Sequence, residues 1–179
     1  MAILGLVSEA VIRRVQPSDR AILRRVRLRA LLTDPASFGS TYEHEAAFPD
    51  QMWTERAARG SAGDNAATLL ALRDGEPVGI VTAIRDEAQR HLFHVFEMWI
   101  APVARREGVG RTLLSEIEAW IASCGGTSVH LSVTNAATAA IRLYESAGYQ
   151  PDGDSAESRH TPGLTEVSLL KQLDGVGSN

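Results

Sequence analysis

The residues best placed to do chemistry lie where an apolar strand changes into an amphipathic helix. In the segment "RREGVGR", Arg105, Arg106 and Arg111 surround Gly108 and Gly110. The first backbone N–H groups of a helix have no partner within it, and the helix dipole adds about +0.5 charge there. Glycine lets an anion approach the backbone closely, and the arginines add positive charge. The sequence therefore predicts a phosphate-binding turn.

Two familiar nucleotide-binding motifs do not match this turn. A Walker A loop, G-x-x-x-x-G-K-[ST], needs an upstream glycine that is missing here, and Arg111 stands where its lysine would be. A dinucleotide-binding loop, G-x-G-x-x-G, would need its third glycine at Leu113. A nucleotide-binding module is therefore excluded by spacing.

The strand before the turn carries two candidate general bases, His94 and Glu97. Alternation along 91–101 places successive side chains on opposite faces: His94, Phe96, Met98 and Ile100 on one, and Phe93, Val95, Glu97 and Trp99 on the other. Histidine has an ordinary pKa near 6.5, and burial in a sheet raises the pKa of a carboxyl. Both are therefore candidates for accepting a proton near neutral pH, with ordered water as the alternative.

Apolar periodicity predicts the elements that must position these residues. We expect helices near 17–32, 49–59, 107–123 and 138–148, strands near 11–15, 67–73, 78–85, 91–101, 127–133 and 164–173, and loops at 33–48 and 150–163. The succession of these strands and helices predicts an α/β layer structure with a mixed sheet.

Composition limits the class of protein. The chain has 179 residues and a formal net charge of -4, which argues against a nucleic-acid or membrane-surface partner. A single cysteine, Cys124, fits a reducing compartment, and no run approaches the roughly 20 apolar residues of a membrane span. We expect one cytoplasmic domain over 1–179, with its core at about 11–173 and disordered tails at 1–9 and 174–179.

The wider pattern resembles motif A of the GNAT superfamily of N-acetyltransferases. Its signature [RQ]-x-x-G-x-[GA] falls on 105–110, and "IAP" at 100–102 matches the strand end before it. Further on, the run L-Y-x-x-x-G-[FY] of motif B falls on 143–149. The resemblance implies the GNAT fold, an α/β (α+β) structure with a mixed, mostly antiparallel sheet of about six to seven strands and about four helices.

The resemblance also implies acetyl-CoA as co-substrate and no metal. It assigns cofactor binding to the end of the strand and to the turn: Met98, Ile100, Arg105, Arg106, Glu107, Gly108, Val109, Gly110 and Arg111. Glu107 would repel a diphosphate unless it points outward. Where the family commonly has a pantetheine-binding asparagine, this chain has Ala137, so Asn135 is the nearest candidate.

Acetyl transfer from a thioester to an amine needs a base for the amine and benefits from an acid for the departing thiolate. Tyr144 matches the general-acid tyrosine of the family, and a phenol with an ordinary pKa near 10 is protonated at neutral pH. A bulge near Met98, usual in the family, would change the faces that His94 and Glu97 occupy. Because Cys124 lies at the far end of the helix from the glycine turn, direct transfer in a ternary complex is preferred.

The acceptor amine is left open by the sequence. Candidates for shaping its pocket are aromatic residues of the first helical region and polar residues of the predicted loop 150–163: Phe38, Tyr42 and Trp53, and Asp152, Asp154, Glu157 and His160. A small-molecule or peptide amine as partner and a possible homodimer fit these features. The alternative function is a non-catalytic CoA or acyl-CoA sensor with the same fold, which would not need Tyr144.

Overall fold

Residues 9–157 and 163–173 are described by the structure, a computed structural model, and they form seven strands and five α-helices. The strands are β1 (Val11–Arg14), β2 (Ala66–Arg73), β3 (Glu76–Arg85), β4 (Leu92–Ile100), β5 (Ser128–Thr134), β6 (Gln150–Glu157) and β7 (Thr165–Gln172). The helices are α1 (Arg20–Thr33), α2 (Tyr42–Ala46), α3 (Asp50–Ser61), α4 (Val109–Ser123) and α5 (Thr138–Ser146). The predicted tails lie outside the described residues, apart from Glu9.

All seven strands join one sheet in the order β1-β2-β3-β4-β5-β7-β6. Every neighbouring pair is antiparallel except β4 and β5, which run parallel. Helix α3 packs its Gly60 against Thr68 of β2, whereas α4 packs Leu113 beside Gly79 on the opposite face of the sheet. This layered, mixed and mostly antiparallel sheet confirms the predicted fold class.

The parallel pair β4–β5 separates partway along its length. Only three residue pairs are in register, and the last of them is His94 with His130. Both strands continue beyond this point, β4 to Ile100 and β5 to Thr134. The ends of the two neighbouring strands therefore diverge and leave a cleft in the sheet. Along this cleft the backbones of β4 and β5 form no hydrogen bonds with each other.

A β-bulge interrupts β4 beside the cleft. Trp99 pairs with Ile80 and Phe96 with Thr82, so β4 holds one extra residue between them, and Glu97 has a φ of 58°. A bulge of this kind reverses the side-chain alternation beyond it. Relative to the residues before the bulge, the side chains after it therefore lie on the face opposite to the one that strict alternation predicts.

The contacts of β4 show this reversal. Before the bulge, the ring of Phe93 packs edge-on against Trp120 of α4. After it, Met98 and Ile100 lie on that same α4 face, while the indole Nε1 of Trp99 donates to Asp34 at the end of α1. The prediction that Met98 and Phe93 lie on opposite faces was therefore wrong, because pairing with β3, and not the strand's own sequence, sets the bulge.

Two predicted loops contain regular structure. The segment 33–48 includes the short helix α2, whose N-cap residue Thr41 accepts a hydrogen bond from the His44 amide. The segment 150–163 includes β6, an edge strand that pairs with β7 and whose eight residues are all exposed. Its polar sequence resembles a loop because an exposed edge strand buries no apolar face.

No helix of the described part of the chain is both long and apolar enough to cross a membrane.

Candidate functional site

The glycine turn forms the entrance to helix α4. Gly108 is the N-cap residue with a φ of 86°, and Arg106 has a φ of 67°. Within the described residues, the first backbone amide after the turn to donate a hydrogen bond is that of Thr112, to the Gly108 carbonyl. The six amides of 106–111 are thus without partners in this part of the chain, at the positive end of a 15-residue helix.

Gly108 and Gly110 are needed for different reasons. A side chain at Gly108 would meet nothing within 4 Å, so its role is the left-handed backbone that turns the chain into the helix. A Cβ at Gly110 would lie 3.3 Å from Leu143 of α5, 3.5 Å from Ile100 and 3.7 Å from Met98. Gly110 therefore keeps α4 close to the end of β4 and to α5.

The arginines around the turn differ in their contacts. Arg105 donates to the Ile100 carbonyl at 2.9 Å and to Asp34 at 2.5 Å. Arg111 donates to the Ser146 hydroxyl at 2.9 Å. Arg105 thus holds the turn against the strand end and α1. Among the described residues Arg106 makes no side-chain hydrogen bond or ion pair, and Arg111 bonds only to a neutral hydroxyl, so neither charge is balanced by a carboxylate.

Glu107 does not stand alone next to the predicted phosphate site. Its carboxylate forms an ion pair with Arg73 at the end of β2. The negative charge that would repel a diphosphate is therefore balanced by a guanidinium group from a neighbouring strand. This pairing removes the conflict that the sequence alone left open.

A cavity of about 600 Å³ occupies the cleft between β4 and β5. Its walls come from 94–98 of β4, 130–134 of β5, and Ala137, Ala140 and Tyr144 in and before α5. On the other side it reaches the helical region, where Phe38, Trp53, Arg56 and Arg59 line it. The predicted acid and both predicted bases, Tyr144, His94 and Glu97, thus line one continuous space.

Tyr144 is 5% exposed and packs its ring against Tyr149, with centroids 5.7 Å apart. Burial raises the pKa of its phenol well above the ordinary value. The hydroxyl is therefore fully protonated at neutral pH and faces a cavity in which it can donate a hydrogen bond. In this state the phenol can donate a hydrogen bond to a departing thiolate, while its raised pKa also makes it a weaker acid.

Glu97 sits in a more polar setting than the sheet interior expected for it. Its carboxylate accepts a hydrogen bond from Thr82 at 3.0 Å and lies 3.4 Å from Arg27 and 3.9 Å from Arg56. The bulge turns this side chain toward α1 and α3, where the two guanidinium groups balance its charge. That Glu97 acts as a base stays a prediction. The two nearby guanidinium groups stabilise its ionised form and so disfavour the uptake of a proton.

Sequence reasoning missed the charge cluster under Glu97. Glu45 of α2 is 2% exposed and forms ion pairs with Arg27 at 2.7 Å and Arg56 at 2.8 Å. Burial alone would raise the pKa of the Glu45 carboxyl, but the hydrogen bonds and charges of the two arginines outweigh it, so the pKa is lowered. Glu45 thus positions the two arginines that face Glu97.

Replacing Glu45 with glutamine should lower the free energy of unfolding by about 2 kcal/mol at neutral pH, because Arg27 loses a buried charged partner. Since the folded-state pKa of Glu45 is lowered, the carboxylate stabilises the fold above its unfolded pKa of about 4.3, and that contribution is lost as the pH falls below it. Urea denaturation at pH 7 and pH 3.5 checks this, with Asp50→Asn as an exposed control. Equal stability of the wild type and Glu45→Gln at pH 7 would contradict it.

His94 lies where β4 and β5 separate, and both of its ring nitrogens are engaged. Nε2 is 2.9 Å from the Asp86 carboxylate, and Nδ1 is 3.1 Å from Nδ1 of His130 on β5. His130 was not singled out from the sequence, because nothing local marks a partner 36 residues away. That His94 acts as a base stays a prediction. Both of its ring nitrogens already take part in hydrogen bonds, so it has no unengaged nitrogen to accept a proton.

The remaining predicted residues are placed as follows. The Asn135 side chain accepts a bond from the Thr165 amide at 3.4 Å, so it is engaged with β7, while Ala137 lines the cavity. Tyr42 lines a separate surface depression next to α1 rather than the cleft. Asp152 lies 3.6 Å from His130, and His160 lies outside the described residues. Asn135 as a pantetheine ligand stays a prediction.

Among the described residues, no group of three or more histidine, cysteine, aspartate or glutamate side chains is arranged to hold a metal ion.

Comparisons with known proteins agree with this geometry. The family model described as "Acetyltransferase (GNAT) family" matches residues 27–149. An acetyltransferase of the GNAT family from Streptococcus pneumoniae is 24% identical, with a TM-score of 0.81 over 93% of this chain and 100% of that one. No curated protein sequence gives a significant match.

Two further solved structures are similar in fold. The structure of yncA from Salmonella typhimurium with its cofactor acetyl-CoA is 18% identical, with a TM-score of 0.75 over 96% of this chain and 98% of that one. The PaiA N-acetyltransferase from Thermoplasma acidophilum in complex with coenzyme A is 15% identical, with a TM-score of 0.73 over 92% and 99%.

The splayed strands of the mixed sheet and the family match agree on the fold of a GNAT acetyltransferase. The chain belongs to the GNAT family of acetyltransferases.

Proposed function

We propose that this protein is an N-acetyltransferase that moves the acetyl group of acetyl-CoA to a primary amine of a small molecule or peptide. The observation that carries the proposal is a run of six amides at the entrance of α4 that have no partner among the described residues, beside a cleft that Tyr144 lines. Backbone amides at a helix N-terminus form a site for a diphosphate. The cleft that leads away from them suits an extended, amide-containing arm.

The residues fit acetyl-CoA as co-substrate. The amides of 106–111 and the charge of Arg106 would hold its diphosphate. Met98 and Ile100 would lie beside its extended arm along β4. Bound acetyl-CoA supplies an acetyl group activated as a thioester. Because β5 does not pair with β4 beyond His94, the β5-facing edge of the bulged strand is open to hydrogen bonds with a ligand.

Protons are handled by side chains that line the same cavity. Tyr144 is kept neutral by burial and is placed to donate a proton to the departing sulfur. The amine, with a pKa near 10 when free, must give up a proton before it attacks. His94 and Glu97 are the candidates on β4, and a bound water is the alternative.

The acceptor is expected to enter from the side of α1 and α3. That wall combines the aromatic side chains of Phe38 and Trp53 with the guanidinium groups of Arg56 and Arg59. Asp152 stands near the opposite wall, beside His130. A single acetyltransferase domain over 1–179, a cytoplasmic location and a possible homodimer are parts of the proposal that rest on the sequence.

A thiol-release assay across a panel of amines tests the function. With purified protein and acetyl-CoA, at least one small amine or peptide N-terminus should release CoA thiol far above the rate without acceptor. Acetyl-CoA affinity is measured in parallel by calorimetry. Binding without any active acceptor would favour the non-catalytic sensor, and absence of both would contradict the proposal.

Direct transfer predicts intersecting initial-rate lines when amine and acetyl-CoA are varied together. Cys124→Ala should keep kcat within about twofold, because Cys124 caps the C-terminal end of α4, about 22 Å from its first residue at 1.5 Å per residue. Parallel lines, or a large loss of activity in Cys124→Ala, would instead indicate an acetyl-cysteine intermediate.

A further inference from the structure

Two histidine rings meet at the base of the cleft. His94 of β4 and His130 of β5 are the last pair in register before the strands separate, and their Nδ1 atoms are 3.1 Å apart. Both residues line the cavity that reaches Tyr144. On the outer side, Nε2 of His94 is 2.9 Å from the carboxylate of Asp86, in the connection between β3 and β4.

These distances determine how the protons are arranged. A carboxylate only accepts hydrogen bonds, so Nε2 of His94 carries a proton that it donates to Asp86. Two nitrogens 3.1 Å apart share one hydrogen. When both rings are neutral, Nδ1 of His94 is therefore the acceptor and Nδ1 of His130 is the donor. Neutral His130 then has its lone pair on Nε2.

His130 lines the cleft, and among the described residues its Nε2 makes no hydrogen bond. The Asp152 carboxylate of β6 lies 3.6 Å from that nitrogen, which is beyond a hydrogen bond. About a quarter of the His130 side chain remains exposed (24%). His94, by contrast, has both ring nitrogens in hydrogen bonds. Of the two rings, His130 is the one with an open proton-accepting atom.

We propose that Nε2 of His130 takes the proton from the acceptor amine, directly or through one water, and that His94 and Asp86 act through it. This rests on the proposed N-acetyltransferase function. An N–H bond of the ammonium breaks and an N–H bond forms at Nε2 of His130. The shared hydrogen moves from Nδ1 of His130 to Nδ1 of His94, and the positive charge comes to rest beside Asp86.

In this relay His130 is the catalytic residue, while His94 and Asp86 are positioning residues. Asp86 fixes the tautomer of His94, which in turn fixes that of His130. The arrangement resembles the way a carboxylate orients the histidine in hydrolytic triads. It also explains why His94, predicted as a base from its place on β4, matters without contacting the amine.

Among the described residues, carboxylates from three elements lie on the side of the histidine pair, while Arg27, Arg56 and Arg59 line the other side of the same cavity. Asp86 approaches from the β3–β4 connection, Asp152 and Asp154 from β6, and Glu166 of β7 lines the same cavity. Burial and the charge of His94 lower the pKa of His130, and the two aspartates of β6 act in the opposite direction. The hydrogen bond from His94 lowers the pKa of Asp86, which keeps its carboxylate ionised.

A proton NMR titration tests the coupling without an acceptor. The Cε1–H resonances of His94 and His130 are assigned by comparing the wild type with His94→Gln and His130→Gln. In the wild type, both resonances should report two steps separated by more than about one pH unit, because coupled sites titrate as a pair. In each variant the remaining histidine should titrate in a single step. Two independent single steps in the wild type would overturn the proposal.

The kinetic test uses an amine found active in the thiol-release assay. His130→Gln and His94→Gln should each lower kcat at least tenfold. Only His130→Gln should also remove the acidic limb of the pH profile of kcat, and the double variant should lose no more activity than His130→Gln. Asp152→Asn should move that limb to lower pH, since Asp152 raises the pKa of His130. His44→Gln, on α2, is the control and should behave as wild type.

The outcomes separate this proposal from the proposed function. Wild-type kcat in His130→Gln, or additive losses in the double variant, would overturn the relay while leaving N-acetyl transfer in place. If no amine is acetylated, the proposed function fails, and the titration still decides whether the two rings share a proton. Circular dichroism of each variant shows whether it folds. If His130→Gln does not fold, His130→Asn replaces it.

Discussion

Replacing Tyr144 with phenylalanine should lower kcat by about 100-fold or more and leave acetyl-CoA affinity within about twofold. The phenol is 5% exposed, and burial keeps it protonated, so its one chemical contribution is the hydroxyl proton. A positioned general acid contributes about 10²–10⁴-fold to the rate. Phenylalanine keeps the ring that packs on Tyr149, so the fold should be unaffected. The measurement is kcat for thiol release at saturating amine.

Tyr149→Phe is the matched control. It removes the same atom from the neighbouring ring, which is buried but does not line the cleft. Tyr149→Phe should therefore keep kcat close to the wild-type value. An unchanged kcat in Tyr144→Phe would remove the acid role, and equal losses in both variants would show that the effect is one of packing.

Gly108→Asp should weaken acetyl-CoA binding by about 100-fold relative to Gly108→Asn. A side chain at Gly108 meets nothing within 4 Å, and asparagine and aspartate tolerate the left-handed backbone better than other residues do. Two unit charges 4 Å apart interact by about 4 kcal/mol near a protein surface, so one carboxylate beside the diphosphate is enough for this loss. Calorimetric titration with acetyl-CoA measures both variants.

The pair of variants isolates charge from shape. Aspartate and asparagine have nearly the same shape and both accept hydrogen bonds from neighbouring amides, so they differ in the negative charge of aspartate and in the NH2 donor of asparagine. The difference should shrink at high salt, because ions screen an exposed charge. Equal affinity of the two variants for acetyl-CoA would place the diphosphate away from the entrance of α4.

The sequence predicted the local features of the site well. Gly108 and Gly110 were identified as a turn before a helix, and the structure has α4 beginning at Val109. Such a turn depends on neighbouring residues, the left-handed glycine and the helix that follows, which a sequence displays directly. The strand before it and its apolar character were predicted for the same reason.

Features that depend on distant partners do not follow from local patterns. The bulge at Glu97 arises in the pairing of β4 with Ile80 and Thr82 of β3, so strict alternation gave the wrong faces, and only the family resemblance indicated a bulge near Met98. The buried carboxylate of Glu45 lies in a segment predicted to be a loop. Its importance comes from Arg27, 18 residues away, whose guanidinium group it neutralises.

The same limit applies to the walls of the cleft. His130 lies in a strand that was predicted correctly, but nothing in that strand indicates that its ring meets His94. The contact exists because β4 and β5 run parallel and separate just after these two residues. Edge strand β6 was missed for a different reason: its polar residues bury nothing, and only its pairing with β7 makes it a strand.

A crystal structure of the protein with coenzyme A would show where the diphosphate binds. We expect its oxygens within hydrogen-bond distance of backbone amides in 106–111, and the thiol end in the cleft between β4 and β5, near Met98 and Tyr144. A coenzyme bound elsewhere, or a cleft that side chains close in the presence of the ligand, would contradict this expectation.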